Sequence, residues 1–247
     1  MTLLFAAAGC CAVGLCIGWC GVAGFLLPIL FVNVCGLSVT ESLLASFLCF
    51  AVSGAIGAFN YHRRGELPLR PALVLSAGSL AGGLIGAALG GLLAAETVKV
   101  LLYLVVLLSG AAIAVRELRP PLAARERAMP RAALLLPLGL ATAVICALSG
   151  AGGPVLVMPL LVALGVPARM AVGVALLDAV FIALPAIAVY GSQCAPLALL
   201  PFLAVAAASH AVGVSIGSAT AARVPQRLLK RGVAVFSICF SLYMLLK

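Results

Sequence analysis

Long apolar stretches follow one another along almost the whole chain and are separated by short polar turns. Uninterrupted apolar segments lie at about 42–60, 71–94, 97–115, 168–190, 195–221 and 228–246. A run of about 20 apolar residues is what a helix needs to cross the hydrocarbon core of a bilayer. The pattern therefore predicts an all-α polytopic membrane protein that lies in a lipid bilayer.

Two further apolar segments, at about 3–34 and 132–163, are interrupted by glycine clusters that precede prolines. The first break covers Gly18–Pro28 and the second covers Ser149–Pro159. Glycine and proline both destabilise a helix interior, and a broken helix persists in lipid only where protein or a water-filled cavity satisfies its backbone groups. Interrupted segments at matching positions of two halves indicate the binding site of a transporter. A helix kink or a packing contact is the alternative interpretation of either break alone.

The two breaks belong to two related halves of the chain. Gly21 and Gly152 each precede a proline by seven residues, and they are separated by 131 positions. Similar spacings recur in other segments, in the pairs Tyr61/Tyr190 (129), Gly82/Gly213, Gly86/Gly217 and Lys99/Lys230 (131). Agreement over several segments favours a duplication. We therefore divide the chain into an N-terminal membrane repeat (1–116), a basic linker (117–131) and a C-terminal membrane repeat (132–247).

Composition agrees with a membrane protein, since 65% of the 247 residues are hydrophobic and only 9% are charged. A soluble domain carries far more charge. The net charge of +9 indicates membrane orientation rather than nucleic-acid binding, because the basic residues lie in short loops. These basic regions are 62–70, 116–131, Arg169 and 223–231.

All four basic regions share the cytoplasmic face if each broken segment turns back without a net crossing. Each half then has three full crossings, so the two repeats are inverted with respect to each other. Both termini are expected outside. About eight hydrophobic segments result, two of them re-entrant.

The helix ends that follow the breaks are candidate anion sites. A helix N-terminus offers unpaired backbone N–H groups and the positive end of the helix dipole. Within the predicted spans Lys and Arg occur only near the ends, so backbone amides are expected to hold a small oxyanion, with help from nearby side chains. The candidate substrate-binding residues are Trp19, Cys20, Gly21, Gly24, Ser46, Ser149, Gly150, Gly152 and Gly153.

Asp178 and His210 are ionisable side chains deep within predicted spans. An intramembrane acid is costly and is a functional hypothesis by default, and histidine titrates near physiological pH. Both residues are therefore candidates for proton coupling. A structural hydrogen bond between neighbouring helices is the alternative for each. No metal-ligand spacing is found among the nine cysteines, and we expect neither a metal nor a cofactor.

The two break motifs carry a resemblance to a known family. In the first, glycines at 18, 21 and 24 precede Pro28, and in the second, Gly150-Ala-Gly-Gly-Pro is followed by Pro159. Together with the span ends at Tyr61 and Tyr190 and a glycine-rich third span in each half, this pattern resembles the sulfite exporter TauE/SafE family of bacterial membrane transporters. Pro154 and Ala175 depart from the family pattern, where glycine and serine are usual.

The resemblance implies a secondary transporter of the bacterial cytoplasmic membrane and not an enzyme. Its substrate would be a small sulfur-containing anion such as sulfite, thiosulfate or an organosulfonate. A membrane thiol–disulfide reductase that uses Cys20 with Cys146, or Cys10 with Cys11, is a competing hypothesis without a Cys-x-x-Cys motif to support it. A non-transporting membrane subunit is a third. The sequence leaves the oligomeric state open.

Overall fold

The computed structural model describes residues 2–20, 23–118, 129–220, 234–235, 238–239 and 241–246. All regular elements within these residues are helices. In the first half they are α1 (Thr2–Cys20), a 3-10 turn (Ala23–Phe25), α2 (Leu26–Asn33), α3 (Val39–Arg63), α4 (Leu69–Leu92) and α5 (Ala95–Leu118). In the second half they are α6 (Ala132–Ser149), α7 (Gly153–Ala163), α8 (Ala168–Ser192) and α9 (Pro196–Thr220).

Among the described residues, five helices are long and apolar enough to cross a membrane, namely α3, α4, α6, α8 and α9. The prediction of a helical, multi-pass membrane protein is therefore confirmed. The predicted span at 228–246 lies largely outside the described residues. The linker 117–131 is described only at its two ends.

Both breaks fall within the stretches that the sequence singles out. Helix α6 ends at Gly150, which has a φ of +70°, and Gly152 has a φ of +81° immediately before α7 begins. A positive φ is readily adopted only by glycine, and proline suits the first turn of a helix, where Pro154 stands. The glycines thus end one helix and the proline helps to start the next.

Close contacts of glycines with neighbouring helices show in which direction the helices run. Gly78 faces Leu136, Gly82 faces Leu140 and Gly86 faces Val144, so α4 and α6 run parallel. In the same way Gly213 faces Cys11 and Gly217 faces Leu15, so α1 runs parallel to α9. Glycine at these positions lets the backbones of neighbouring helices approach closely.

Helices α3 and α8 have the same length and a regular spacing along the chain. Each has 25 residues, and they lie 129 positions apart at both ends. Gly54 of α3 faces Val180, and Gly173, which is earlier in α8, faces Tyr61, so these two helices run antiparallel. Helix α8 also runs parallel to α4, and both flank the centre of the molecule.

Candidate functional site

The two breaks meet on one aromatic ring near the middle of α3. A Cβ atom added to Gly24, in the first break, would lie 2.9 Å from Cε1 of Phe50. A Cβ atom added to Gly152, in the second break, would lie 3.1 Å from Cζ of the same ring. The ring of Phe50 therefore fills the space between the two breaks.

A small cavity surrounds this meeting point. Its lining residues come from both breaks and from α1, α3 and α8, and they are Ile17, Gly24, Phe50, Ser53, Ala151, Gly152, Pro154, Val155, Leu176 and Ala179. The space open to a water-sized sphere is about 10 Å³, which is about the volume that one water molecule requires. The cavity is thus nearly closed in this conformation.

The lining of the cavity is mostly apolar. Ser53 brings the one side-chain hydroxyl among the lining residues, and its Oγ donates to the carbonyl oxygen of Phe50 at 3.2 Å. Helix α5 covers the breaks from one side, where Leu102 and Val106 pack against Phe25 and Ala151. The breaks are therefore shielded by protein rather than left against lipid.

The second break leaves a short run of backbone amides for a ligand. The N–H of Gly150 donates to the oxygen of Cys146 at 2.8 Å, and Pro154 has no N–H to donate. The amides of residues 151–153 precede or begin α7, and such groups have no partner within their own helix. Because the dipole of α7 places its positive end here, these amides suit an anion.

Two hydrogen bonds fix the end of α6 next to the second break. The thiol of Cys146 donates to the oxygen of Gly152 at 3.3 Å. The hydroxyl of Tyr190 donates to the oxygen of Ala147 at 2.9 Å. The Tyr190 ring in turn stacks on Phe47, with ring centroids 6.0 Å apart, and Phe47 makes an edge contact with Phe50. A buried aromatic chain therefore connects the end of α6 to the ring between the breaks.

Three of the glycines predicted for the site, Gly24, Gly152 and Gly153, lie at or beside the cavity, and Gly150 does not. Gly24 and Gly152 line it. A Cβ atom on Gly153 would lie 3.3 Å from the Cα atom of Ala179, so Gly153 packs directly behind the lining. Gly150 faces Leu43 and Pro28 instead, where the second break touches α2 of the first half.

The predicted polar side chains make contacts away from the cavity. Ser46 and Ser149 do not line it, and each hydroxyl donates to the carbonyl oxygen one turn earlier in its own helix, at 2.7 Å. The indole N–H of Trp19 donates to Oγ1 of Thr220 at 2.8 Å, which ties the end of α1 to the end of α9. The side chain of Cys20 and the whole of Gly21 lie outside the described residues.

Asp178 is completely buried near the middle of α8. Its carboxylate faces the hydroxyls of Ser76 and Ser79 on α4. Neither carboxylate oxygen makes a well-oriented hydrogen bond within the described part of the chain, and the same holds for the hydroxyl of Ser76. The next residue along α8, Ala179, lines the cavity, so Asp178 directly precedes a lining residue of the candidate site.

His210 is buried at a different interface, between α9 and α1. Its Nδ1 lies 3.1 Å from the carbonyl oxygen of Cys10, and its Nε2 finds no hydrogen-bond partner among the described residues. The structure therefore does not bring the two predicted proton-coupling residues together.

Sequence analysis missed the apolar side chains that line the cavity, Phe50 above all. Phe50 and Ala179 both line it and are 129 positions apart, the spacing already seen between Tyr61 and Tyr190. Pairing the halves residue by residue could have indicated them together. Within the described residues no group of His, Cys, Asp and Glu side chains is suited to hold a metal ion.

The candidate cavity, the broken segments and the multi-pass fold are features of a membrane transporter. The family model described as "Sulfite exporter TauE/SafE" matches residues 2–244, which is nearly the whole chain. No curated protein and no solved structure matches significantly. On this match the chain belongs to the sulfite exporter TauE/SafE family of membrane transporters.

Proposed function

We propose that this protein is a secondary transporter that moves a small sulfur-containing anion across the bacterial cytoplasmic membrane. Sulfite, thiosulfate and organosulfonates form the substrate class, in keeping with the family name. The observation that carries this proposal is the contact of both glycine breaks with one side chain, Phe50, at mid-helix depth. Transporters built from two repeats bind substrate where their discontinuous helices meet.

We also infer that the halves are inverted repeats with re-entrant breaks. Helices α6 and α8 both run parallel to α4, so both begin at the same end of the bundle, and the intervening α7 must return the chain to that end. The equivalent helices α3 and α8 run antiparallel, as elements of opposite topology do. Helix α1 is parallel to α9, which places the first broken segment at the opposite end.

The anion would be held by backbone amides rather than by a cationic side chain. No Lys or Arg is among the residues that line the cavity. The amides of residues 151–153 and the positive end of the α7 dipole supply the attraction instead. A site of this kind binds a compact anion without a buried cation. No unpaired side-chain charge therefore remains in the empty site when the substrate leaves.

Asp178 is our candidate for the coupling proton. A buried carboxylate without a well-oriented hydrogen bond is unfavourable when it is charged, and protonation removes that charge. Because Ala179 lies on the cavity wall, charge on the neighbouring Asp178 would oppose an anion in the cavity. Protonation and anion binding would therefore favour each other. His210 lies at the separate interface of α1 with α9.

The decisive experiment is uptake of radiolabelled sulfite into proteoliposomes that contain the purified protein, with and without a pH gradient. We expect saturable uptake that competing thiosulfate or organosulfonate reduces and that the gradient accelerates. Protein-free liposomes are the control. If none of these anions is transported or competes, the proposal is wrong.

The competing reductase hypothesis has little support from the described thiols. Cys146 is fully buried, and its thiol donates to the backbone of the second break. Cys10 is also buried, although Cys11 beside it is partly accessible. A thiol-oxidation assay on the same preparation distinguishes the hypotheses, because a reductase would reduce a disulfide substrate while transporting no anion.

A further inference from the structure

We propose that Phe50 determines the size of the anion that this protein transports, and that its ring must move before a substrate can enter the space between the breaks. The proposal rests on the proposed function, because it assigns a role within the same site. It concerns a side chain that the sequence pattern does not single out.

The first observation is how completely the ring fills the space. Phe50 is only 3% exposed, and ideal Cβ positions on Gly24 and Gly152 would lie 2.9 and 3.1 Å from two of its ring atoms. The remaining open space is about 10 Å³. A sulfur oxyanion is several times larger than a water molecule, so it cannot occupy the cavity while the ring is in place.

The second observation is that the Phe50 side chain can yield without moving a helix end. Gly24, Ala151 and Gly152 contribute backbone or very small side chains, and these cannot retract unless a helix end moves. The Phe50 side chain can turn about its own torsion angles, and its ring is the one that glycines of both breaks face. On one side the ring meets Phe47 edge-on, at 5.8 Å between centroids and an interplanar angle of 82°. Rotation of the ring therefore changes its contacts with Phe47 and with the two breaks.

The third observation is that only one half supplies this obstruction. The equivalent position in α8, 129 residues later, is Ala179, which also lines the cavity. One wall is thus a bulky ring and the matching wall a methyl group. The size limit of the site is set by a single side chain, and a single substitution can change it.

The test compares the wild type with Phe50→Ala and Phe50→Leu in proteoliposomes, using sulfite, a small alkanesulfonate and benzenesulfonate as labelled substrates. We expect the ratio of kcat/KM for benzenesulfonate to that for sulfite to rise by about tenfold in Phe50→Ala, the lower end of what such pocket changes produce. Phe50→Leu should give an intermediate ratio, and it covers the case in which the alanine variant does not fold.

Phe31→Leu is the matched control. Phe31 is fully buried and makes an edge contact with Phe202, but it does not line the cavity. The control should lower thermal stability and leave the size ratio unchanged. A purely structural role for Phe50 would make Phe50→Leu behave in the same way.

A second pair of variants tests the contact itself. Gly24→Ala places a methyl group against the Phe50 ring, and we expect it to lower sulfite transport. Adding Phe50→Leu to Gly24→Ala should restore transport above the level of Gly24→Ala alone, because the clash is removed. Non-additivity of this kind is expected only for residues in contact.

The outcomes separate the two proposals. An unchanged size ratio in a working Phe50→Leu variant, or the absence of any rescue in the double variant, would overturn the role of Phe50 and leave the transporter intact. A wild type that transports neither these three anions nor thiosulfate would overturn the proposed function together with this inference.

Discussion

Nη1 of Arg169 lies 3.0 Å from Oε1 of Glu66. This ion pair joins the start of α8 to the loop that follows α3, although 103 residues separate the two in sequence. Arg169 is 81% exposed, so the pair adds little to stability. The pair instead shows that two basic regions of the chain lie at the same end of the bundle.

The first prediction concerns topology. Reporter fusions within 62–70, 116–131 and 223–231 should all report the cytoplasmic side, whereas a fusion at Gly36 and fusions at both termini should report the outside. The expectation follows from the positive-inside rule and from the shared end of the Glu66–Arg169 pair. Reporters at 62–70 and 223–231 on opposite faces would rule out inverted repeats.

The second prediction concerns Asp178. Asp178→Asn removes the titrating group while keeping its shape, so we expect pH-driven uptake to be lost and exchange of labelled for unlabelled substrate to persist. His210→Gln is the comparison, since His210 lies at the α1–α9 interface. It should reduce thermal stability and keep pH-driven uptake. If Asp178→Asn still concentrates substrate on a pH gradient, Asp178 does not carry the coupling proton.

The third prediction separates backbone strain from site geometry. Gly152→Ala and Gly36→Ala each place an alanine at a positive φ, +81° and +72° respectively, which lowers stability. The loss should be larger at Gly152, because its ψ of 144° lies in a region that only glycine readily adopts. Of these two residues only Gly152 faces Phe50, since a Cβ atom on Gly36 would meet nothing within 4 Å. Both variants should lose stability by thermal unfolding, but only Gly152→Ala should lose substrate affinity. Equal substrate affinities in the two variants would mean that Gly152 serves only to form the turn.

The fourth prediction concerns the packing of α4 on α6. A Cβ atom on Gly86 would lie 2.9 Å from the Cα atom of Val144, so Gly86→Ala should destabilise the protein by about 1–3 kcal/mol through overpacking. Gly91→Ala, on the same helix, meets only the flexible amide end of Gln193 and should be neutral or slightly stabilising. Melting temperatures of the two purified variants measure the difference. A melting temperature for Gly86→Ala as high as that of Gly91→Ala would mean that α4 and α6 can separate at little cost.

The positions of the breaks could be predicted because glycine and proline act locally. Gly150 and Gly152 adopt positive φ values, and Pro154 stands in the first turn of α7, as the chemistry of those residues requires. The approximate limits of α3 and α8 could be predicted for a similar reason, because hydropathy depends on the segment alone.

Side-chain partners could not be predicted, because they depend on neighbours that are distant in sequence. Trp19 looks available beside the first break, but its indole N–H is directed to Thr220, 201 residues away. Ser46 looks like a polar group facing a cavity, but its hydroxyl bonds to its own helix. Phe50 carries no signal of its own, since an apolar residue in an apolar helix looks the same whether it faces lipid, core or cavity.

If the two halves are repeats, as we propose, the position that matches Asp178 is Cys49, which lies 129 positions earlier and is also fully buried. Its thiol lies beside that of Cys10 rather than beside a pair of hydroxyls. Only one of the two matching positions therefore holds a carboxyl group. If Asp178 carries the coupling proton, these two positions together supply one proton per transport cycle rather than two. The stoichiometry of transport would then follow from the chemical difference between two halves that share one architecture.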